Sequence, residues 1–485
     1  MSGNAAATRF LGLLRAHPGP DFRIEAAAVL ADVPLGQAMT AMRALCDARL
    51  VERTAPRRYR LLDQGPASSW LGEREIEAAR RRVIEWYLQG SYDASQYMDL
   101  TCHHPLKIEV SEASVRVPEF PDRQAAAAWY EQEWANLVAA VQTAAECGFL
   151  VLVWQLAATM RFVFMRADRC EAGMAVQRRA LRAAQQLHDL WATATILDGL
   201  CLAYMQLGQG AQSQDANAAA IAIWQEIGDG EREAISKTTR SLQMMGSRDW
   251  ARSVGYIEGI IASTEDVSAR RIYGVNLGNL GECMLELGDL ARARSLVSKA
   301  LGIHREFGWD MGIADTLWNL SRIMRARRRM ADALPYAQAA VEHAKRTTDA
   351  NLQGRTMLEL AVALQANRKY DESATAYRNA LEHARLAGDR GGEARVLERA
   401  AVLRHELRDL TAARAWHEQS IAVSREIGDR WYLALSLERF AETLERLGRE
   451  REAWAARAES LALFKEFDEP AARAALARLS IALGD

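Results

Sequence analysis

The sequence predicts an all-helical chain of stacked hairpins behind a small winged-helix module. Three observations carry that prediction. The first is a 40-residue period. Residues 276–309, NLGNLGECMLELGDLARARSLVSKALGIHREFGW, read as two amphipathic helices joined by a tight turn, and the same columns return on a shift of 40. Leu277, Leu280 and Met284 mark the apolar face of the first helix, and Leu296, Ala300 and Leu301 that of the second. The turn position runs Gly210, Trp250, Leu290, Met330, Tyr370, Leu410, Glu450. The second observation is a set of small-residue columns: Ser213, Ser253, Ala293, Ala333, Ser373, Ala413 and Ala453, and ten residues after the turn position Ala220, Ile260, Ala300, Ala340, Ala380, Ser420 and Ser460. Small residues recur where helices approach closely, and large apolar ones where a neighbouring repeat must be covered. The third is the Gly-Asp dipeptide between repeats, at Gly228-Asp229, Gly388-Asp389 and Gly428-Asp429.

This pattern resembles the tetratricopeptide repeat. The small columns match that motif's two alanine positions, and Gly281, Ser321, Ala361, Ala401 and Ala441 match its small position on the first helix. The copies exceed the usual length of about 34 residues. They also lack the family's terminal proline, so the Gly-Asp turns are expected to end the second helices. The resemblance implies a right-handed superhelix of helical hairpins.

In chain order, residues 7 to about 63 form a separate small unit. ATRFLGLLRAHP is a helix closed by Pro18 and Gly19, RIEAAAVLADV a second, and PLGQAMTAMRALCDARL a third with Pro34 in its first turn. LVERTAPRRYRLLD alternates on both sides of a proline-centred turn and reads as a hairpin. Three helices and a hairpin make a winged helix. Its third helix offers only Gln37, Thr40 and Arg43 for base reading, whereas the wing carries Arg53, Arg57, Arg58 and Arg60. One reading is a DNA-binding wing whose arginines neutralise phosphates; the other is a packing module with solvated arginines.

EREIEAARRRVIEWYLQGSYDASQ is a further helix, with Ile76, Val83, Ile84 and Tyr87 at helical spacing and Arg80 to Arg82 on a charged face. Residues 99–121 carry three prolines and two β-leaning stretches, and read as an extended connection. Cys102, His103 and His104 lie there, but adjacent ligands rarely close a tetrahedral site alone, so no metal is expected. Asp122 then reads as an N-cap, Gly148 as the end of a helix, and Trp129, Leu137 and Val141 as its inner face. The expected organisation is a winged-helix-like domain over 1–65, a helix and connector over 66–121, and the repeat array over 122–485.

Composition sets bounds. Of the 485 residues, 49% are hydrophobic and 26% charged, enough for a large core, and a net charge of -2 argues against general polyanion binding. The six cysteines (46, 102, 147, 170, 201 and 283) form no CxxC pair and read as buried thiols of a reducing compartment. The first residues lack the pattern of a signal peptide, and no run of about 18 apolar residues suggests a span. A cytoplasmic protein is expected.

The order of parts resembles the C-terminal half of actinobacterial STAND regulators, signal-transduction ATPases with numerous domains, including relatives of antibiotic-pathway activators. Trp129, Glu131, Glu133, Asn136 and Leu137 match that family's lead-in to the repeats, RYRLLD (58–63) its end-of-wing motif, and RRVIEWYL the helix that follows. The resemblance runs from about residue 22 to the end. It implies a regulator, with control of transcription in a secondary-metabolite pathway as its finer content. The family places a nucleotide-binding domain before the winged helix, and this sequence has no GxxxxGK[ST] to cradle phosphates. Whether the chain stands alone or is part of a longer regulator stays open.

No catalytic constellation is visible: there is no GxSxG, no HExxH and no paired-cysteine framework. What remains is surface. First helices of tetratricopeptide arrays line the concave groove, so their columns are the candidates: Asn279 and Asn319, then Glu359, Arg399 and Arg439, with Trp318, Arg322, Arg355 and Arg395 beside them. Amides and guanidiniums suit an extended peptide with carboxylates. The competing reading is a charge ladder in which Glu359 neutralises Arg322 or Arg399. No cofactor is expected. The functional expectation is a regulatory or scaffolding protein with a protein or peptide partner, and DNA as a further partner through the wing. The alternative is an enzyme or accessory factor acting on a peptide or small natural product inside the superhelix.

Overall fold

The computed structural model describes residues 2–62, 71–98, 106–108, 110, 115–161, 169–264, 269–347 and 349–483. The chain forms two compact units, Met1–Ser236 and Lys237–Asp485.

The first unit opens with α1 (Ser2–Leu14), β1 (Phe22–Arg23), α2 (Ile24–Ala31), α3 (Leu35–Asp47), β2 (Val51–Ala55) and β3 (Arg58–Leu61). The strands make an antiparallel sheet in the order β1-β3-β2, with Phe22 opposite Tyr59 and Val51 opposite Leu61. The three helices and the hairpin thus lie where the sequence places them, and β1 is the short strand that completes the hairpin's sheet. Asp32 in a left-handed conformation ends α2, and Pro34, whose fixed φ suits a helix start, precedes α3.

Then follow α4 (Glu73–Met98), α5 (Arg123–Glu146), α6 (Leu150–Thr159), α7 (Cys170–Gln186), α8 (Leu190–Gln206) and α9 (Gly210–Ile227). Asp122 caps α5 by accepting from the Ala125 amide, and Gly148 follows its end at φ +75°. One continuous core joins Leu14, Ile24 and Met42 to Tyr87 of α4 and to Trp129 and Leu137 of α5. Arg82 is not part of a solvated face, as the sequence suggested. Its guanidinium donates to the Val29 and Leu30 carbonyls and so satisfies the open end of α2. The described residues of the connector form no strand, and Cys102, His103 and His104 lie outside the described residues.

From α7 onward the helices keep time. The row continues with α10 (Gly230–Gly246), α11 (Trp250–Ser263), α12 (Arg270–Glu286), α13 (Leu290–Glu306), α14 (Asp310–Ala326), α15 (Met330–Ala344), α16 (Ala350–Ala366), α17 (Tyr370–Leu386), α18 (Arg390–Glu406), α19 (Leu410–Glu426), α20 (Arg430–Arg446), α21 (Glu450–Phe464) and α22 (Pro470–Leu483). Each starts 20 residues after the one before, so every predicted turn position opens a second helix. The small columns sit where the two helices of a hairpin meet: Ala293, Ala333, Ser373 and Ala413 are fully buried. At Gly281 a Cβ would stand 2.4 Å from a Val297 methyl, so the two helices meet where only hydrogen fits. Buried serines in these columns bond backbone, as Ser373 Oγ does to the Ala361 carbonyl at 2.8 Å.

The Gly-Asp turns do two jobs. Gly228, Gly388 and Gly428 supply positive φ after a second helix, and the following aspartates accept an amide of the next first helix. Within the second unit, α12 touches α14, α14 touches α16, α16 touches α18 and α18 touches α20, more closely than the second helices touch one another. The first helices therefore line the inner side of the stack. Among the described residues no helix is long and apolar enough to cross a membrane.

Candidate functional site

The inner face of α12 to α18 brings together most of the polar columns singled out in the sequence. Trp318 of α14 is its centre. Arg322, one turn on, stacks over its ring at 4.3 Å, and Arg355 of α16 stacks over it at 4.7 Å. The indole thus holds guanidiniums of two successive repeats, an arrangement its negative ring face favours.

The arginines differ in what else they touch. Arg322 donates to Glu282 at 2.7 Å, to Asn319 Oδ1 at 3.0 Å and to Glu286. Burial would lower its pKa, but Glu282 and Glu286 outweigh that and hold it above the usual arginine value. Arg322 is therefore held through both Nη nitrogens. Arg355 uses only Nη2, at 2.6 Å from Asp315, and its side chain stays 39% exposed. Arg395 of α18 uses only Nη2, 3.4 Å from Asp389, is 30% exposed and lies 5.4 Å from the Tyr432 ring centre. Arg399 approaches Glu398 through Nε at 3.1 Å and is 42% exposed. Glu398 raises its pKa, against burial. Each of these three keeps guanidinium N–H groups without a partner among the described residues.

The amides sit deeper than the sequence suggested. Asn319 is buried and held by Arg322, and Asn279 is half-buried; the Nδ2 of each lacks a partner among the described residues. The charge ladder takes a different form from the expected one. Glu359 is claimed by Arg325, through Nε at 2.8 Å and Nη2 at 2.9 Å, and by the Ser321 hydroxyl at 2.7 Å, not by Arg322 or Arg399. Arg325 had no place among the candidates, although it stands one turn beyond Ser321 on the same helix, facing the next repeat. Arg439 pairs within its own helix, with Glu442 at 3.3 Å.

On the wing the four arginines part company. Arg53 is exposed, its Nε bonded to the Ala55 carbonyl. Arg60 is exposed and 3.2 Å from Glu52. Arg57, at the hairpin turn with φ +62°, lies 2.7 Å from Glu25. Arg58 corrects the expectation of phosphate binding. Its guanidinium turns inward to Asp21 (2.7 and 2.8 Å), Glu133 (2.6 Å) and the Gln132 carbonyl (2.8 Å), and only 13% of the side chain is exposed. Glu133 is fully buried and also accepts from Asn136 at 2.6 Å. Two residues of the lead-in motif thus fix the wing to α5.

The inner face presents guanidinium N–H groups, whose fork matches carboxylate geometry, beside amide groups. Among the described residues no group of three or more His, Cys, Asp or Glu could hold a metal ion.

No family model matches the sequence. The chain is similar to the regulatory protein AfsR of Streptomyces coelicolor, 24% identical over 327 residues, which is 64% of this chain and 32% of that protein. The chain thus spans about a third of the length of this curated relative. Among solved structures it is similar to a STAND protein with a tetratricopeptide repeat sensor from Pyrococcus horikoshii, with TM-score 0.41 and 13% identity over 98% of this chain and 63% of that one. It is also similar to the apo form of RapI (TM-score 0.46, 15% identity, 57% of this chain and 99% of that one). A Rap protein complexed with competence and sporulation factor gives TM-score 0.48 and 12% identity, over 68% of this chain and 96% of that one.

Proposed function

We propose that this chain acts as a cytoplasmic regulatory or scaffolding protein. In this reading the inner face of α12 to α18 receives an extended peptide or protein tail that carries carboxylates. One observation supports it above the rest: Arg355 and Arg395 each give one N–H group to a carboxylate of this chain and keep others open, and Arg399 lies beside Glu398 without a hydrogen bond to it. A guanidinium oriented by one carboxylate loses little freedom on meeting a second, and its fork matches carboxylate geometry. Arg322, paired with two carboxylates, serves instead to hold Trp318 and Asn319 in place. The similarity to a protein named as regulatory supports the regulatory half. Control of transcription in a secondary-metabolite pathway is the finer form of the same proposal, with DNA reached through Arg53, Arg57 and Arg60.

The test uses a library of extended acidic peptides, each with a free or an amidated C-terminus. Replacing Arg355 and Arg395 together by alanine should weaken the best binder about tenfold or more. Circular dichroism should stay unchanged, because neither side chain is in the core. Undiminished binding would end the proposal, as would a binder indifferent to carboxylates.

A further inference from the structure

The turn between α10 and α11 does something that the equivalent turns do not. Its left-handed position belongs to a 40-residue column occupied by Gly208, Gly288 and Gly448, and elsewhere by Arg248, Arg328, Arg368 and Arg408 with φ between 60° and 64°. A side chain there is strained, and glycine fits without cost. Arg328, Arg368 and Arg408 are exposed. Arg248 instead reaches across the unit to a residue 221 positions later. Its Nε donates to Glu469 at 2.7 Å, and its guanidinium lies 3.8 Å from the Trp431 ring centre and 5.1 Å from that of Trp250. The Trp250 indole N–H donates to the other Glu469 oxygen at 2.8 Å.

Glu469 has only 5% of its side chain exposed, and the partners of both its carboxylate oxygens come from the start of the unit. A carboxylate so placed is costly to bury unless paired, so its burial depends on this pairing. Four hairpins, α12–α13 to α18–α19, lie between the two ends that meet. The row of hairpins therefore bends back on itself and encloses its inner face. Arg248 Nη2 also reaches Glu286 at 3.2 Å, and Glu286 is one of the two carboxylates that hold Arg322. The closing cluster and the candidate groove thus share a residue.

We propose that Arg248, Trp250, Trp431 and Glu469 form a clasp that closes the second unit on itself and gates its inner face. The clasp stands on these distances alone; the gate rests on the groove reading given above. With the clasp closed, a ligand must thread in as a flexible chain end; with it open, a peptide can also enter sideways.

The experiment uses the full chain and three variants. Arg248→Gly removes the guanidinium while placing the residue best suited to that φ, and Glu469→Gln removes the charge with little change in shape. Arg328→Gly is the matched control at a turn without a clasp. Hydrogen exchange should rise about tenfold in the amides of residues 465–474 for Arg248→Gly, and rise less for Glu469→Gln. It should not rise for Arg328→Gly. No rise in either clasp variant, or an equal rise in the control, overturns the clasp without any ligand being involved. Fluorescein-labelled hexaglutamate with a free C-terminus should associate about fivefold faster with the clasp variants. Faster exchange with unchanged association overturns the gate. Failure of the probe to bind any form removes the gate together with the groove reading, and leaves exchange to decide the clasp.

Discussion

Arg58 and Arg355 were candidates of the same kind, arginines on a surface where an anion could dock, and the fold treats them in opposite ways. Arg58 finds two carboxylates and a backbone carbonyl, keeps 13% exposure, and joins the hairpin to α5. Arg355 finds one carboxylate and a tryptophan face, and keeps three times that exposure. What separates them is the acceptors that chain topology brings near. Asp21 and Glu133 stand 37 and 75 residues from Arg58. Asp315 stands 40 residues from Arg355, one repeat back in the same column. An arginine with acceptors on two elements is held as structure, and one with a single acceptor keeps hydrogen bonds to give.

The sharpest way to break this comparison is Arg58→Ala. It leaves Glu133 buried with its charge uncompensated, a loss of about 3–5 kcal/mol for a broken buried pair. Chemical denaturation should show the N-terminal unit losing that stability. Replacing Arg58 and Glu133 together by apolar residues of similar size should recover a large part of it. A loss under about 1 kcal/mol from Arg58→Ala would show that the inward network contributes no more than a surface pair.

The same contrast explains what was legible in the sequence. Backbone placement repeats along a 40-residue column, so Ala293, Ala333 and Ala413 were placed correctly at close helix approaches and the turn column as helix starts. The columns also located Trp318, Arg355 and Arg395 on first helices. Pairing was not legible, because it depends on which side-chain ends meet. Glu359 is taken by Arg325, whose register reaches the next helix better than that of Arg322. Arg58 broke its expectation because the wing has no periodicity to report an inward turn. Arg248 was invisible for a stronger reason: its partner lies 221 residues on, and only the bend of the whole row brings them together.

A second effect depends on pH. His304 and His417 of the array are buried, and burial pushes their pKa down to about 4 and about 3. Unfolding releases both rings to water, where they bind protons near pH 6.5. Their folded pKa values are depressed, so stability is full above about pH 6.5, falls as the pH drops, and levels off below the folded values. Denaturant midpoints between pH 7 and 4 should report uptake of about two protons from these rings, beyond the carboxylates. His417→Leu should flatten that dependence by about one proton. An unchanged slope would place the ring in water in the folded state.

The smallest expected effect is on the outer edge of the wing, and it sharpens the comparison most directly. Arg53 and Arg60 are exposed, one bonded only to a backbone carbonyl two residues on and the other to an exposed glutamate. Exposed pairs of this kind contribute about 0–1 kcal/mol. Replacing both by alanine should therefore leave the stability within about 0.5 kcal/mol of the parent. Arg58 must be left intact in this experiment, since its loss would lower any affinity by loosening the module. If the wing binds DNA phosphates, the double variant should bind every sequence more weakly and with a flatter dependence on salt. Each phosphate that the variant leaves unneutralised lowers the slope of log affinity against log salt by about 0.9. A parent protein that binds no duplex at low salt would restrict the wing to its packing role. A double variant as destabilised as Arg58→Ala would show that exposure does not separate the two kinds of arginine.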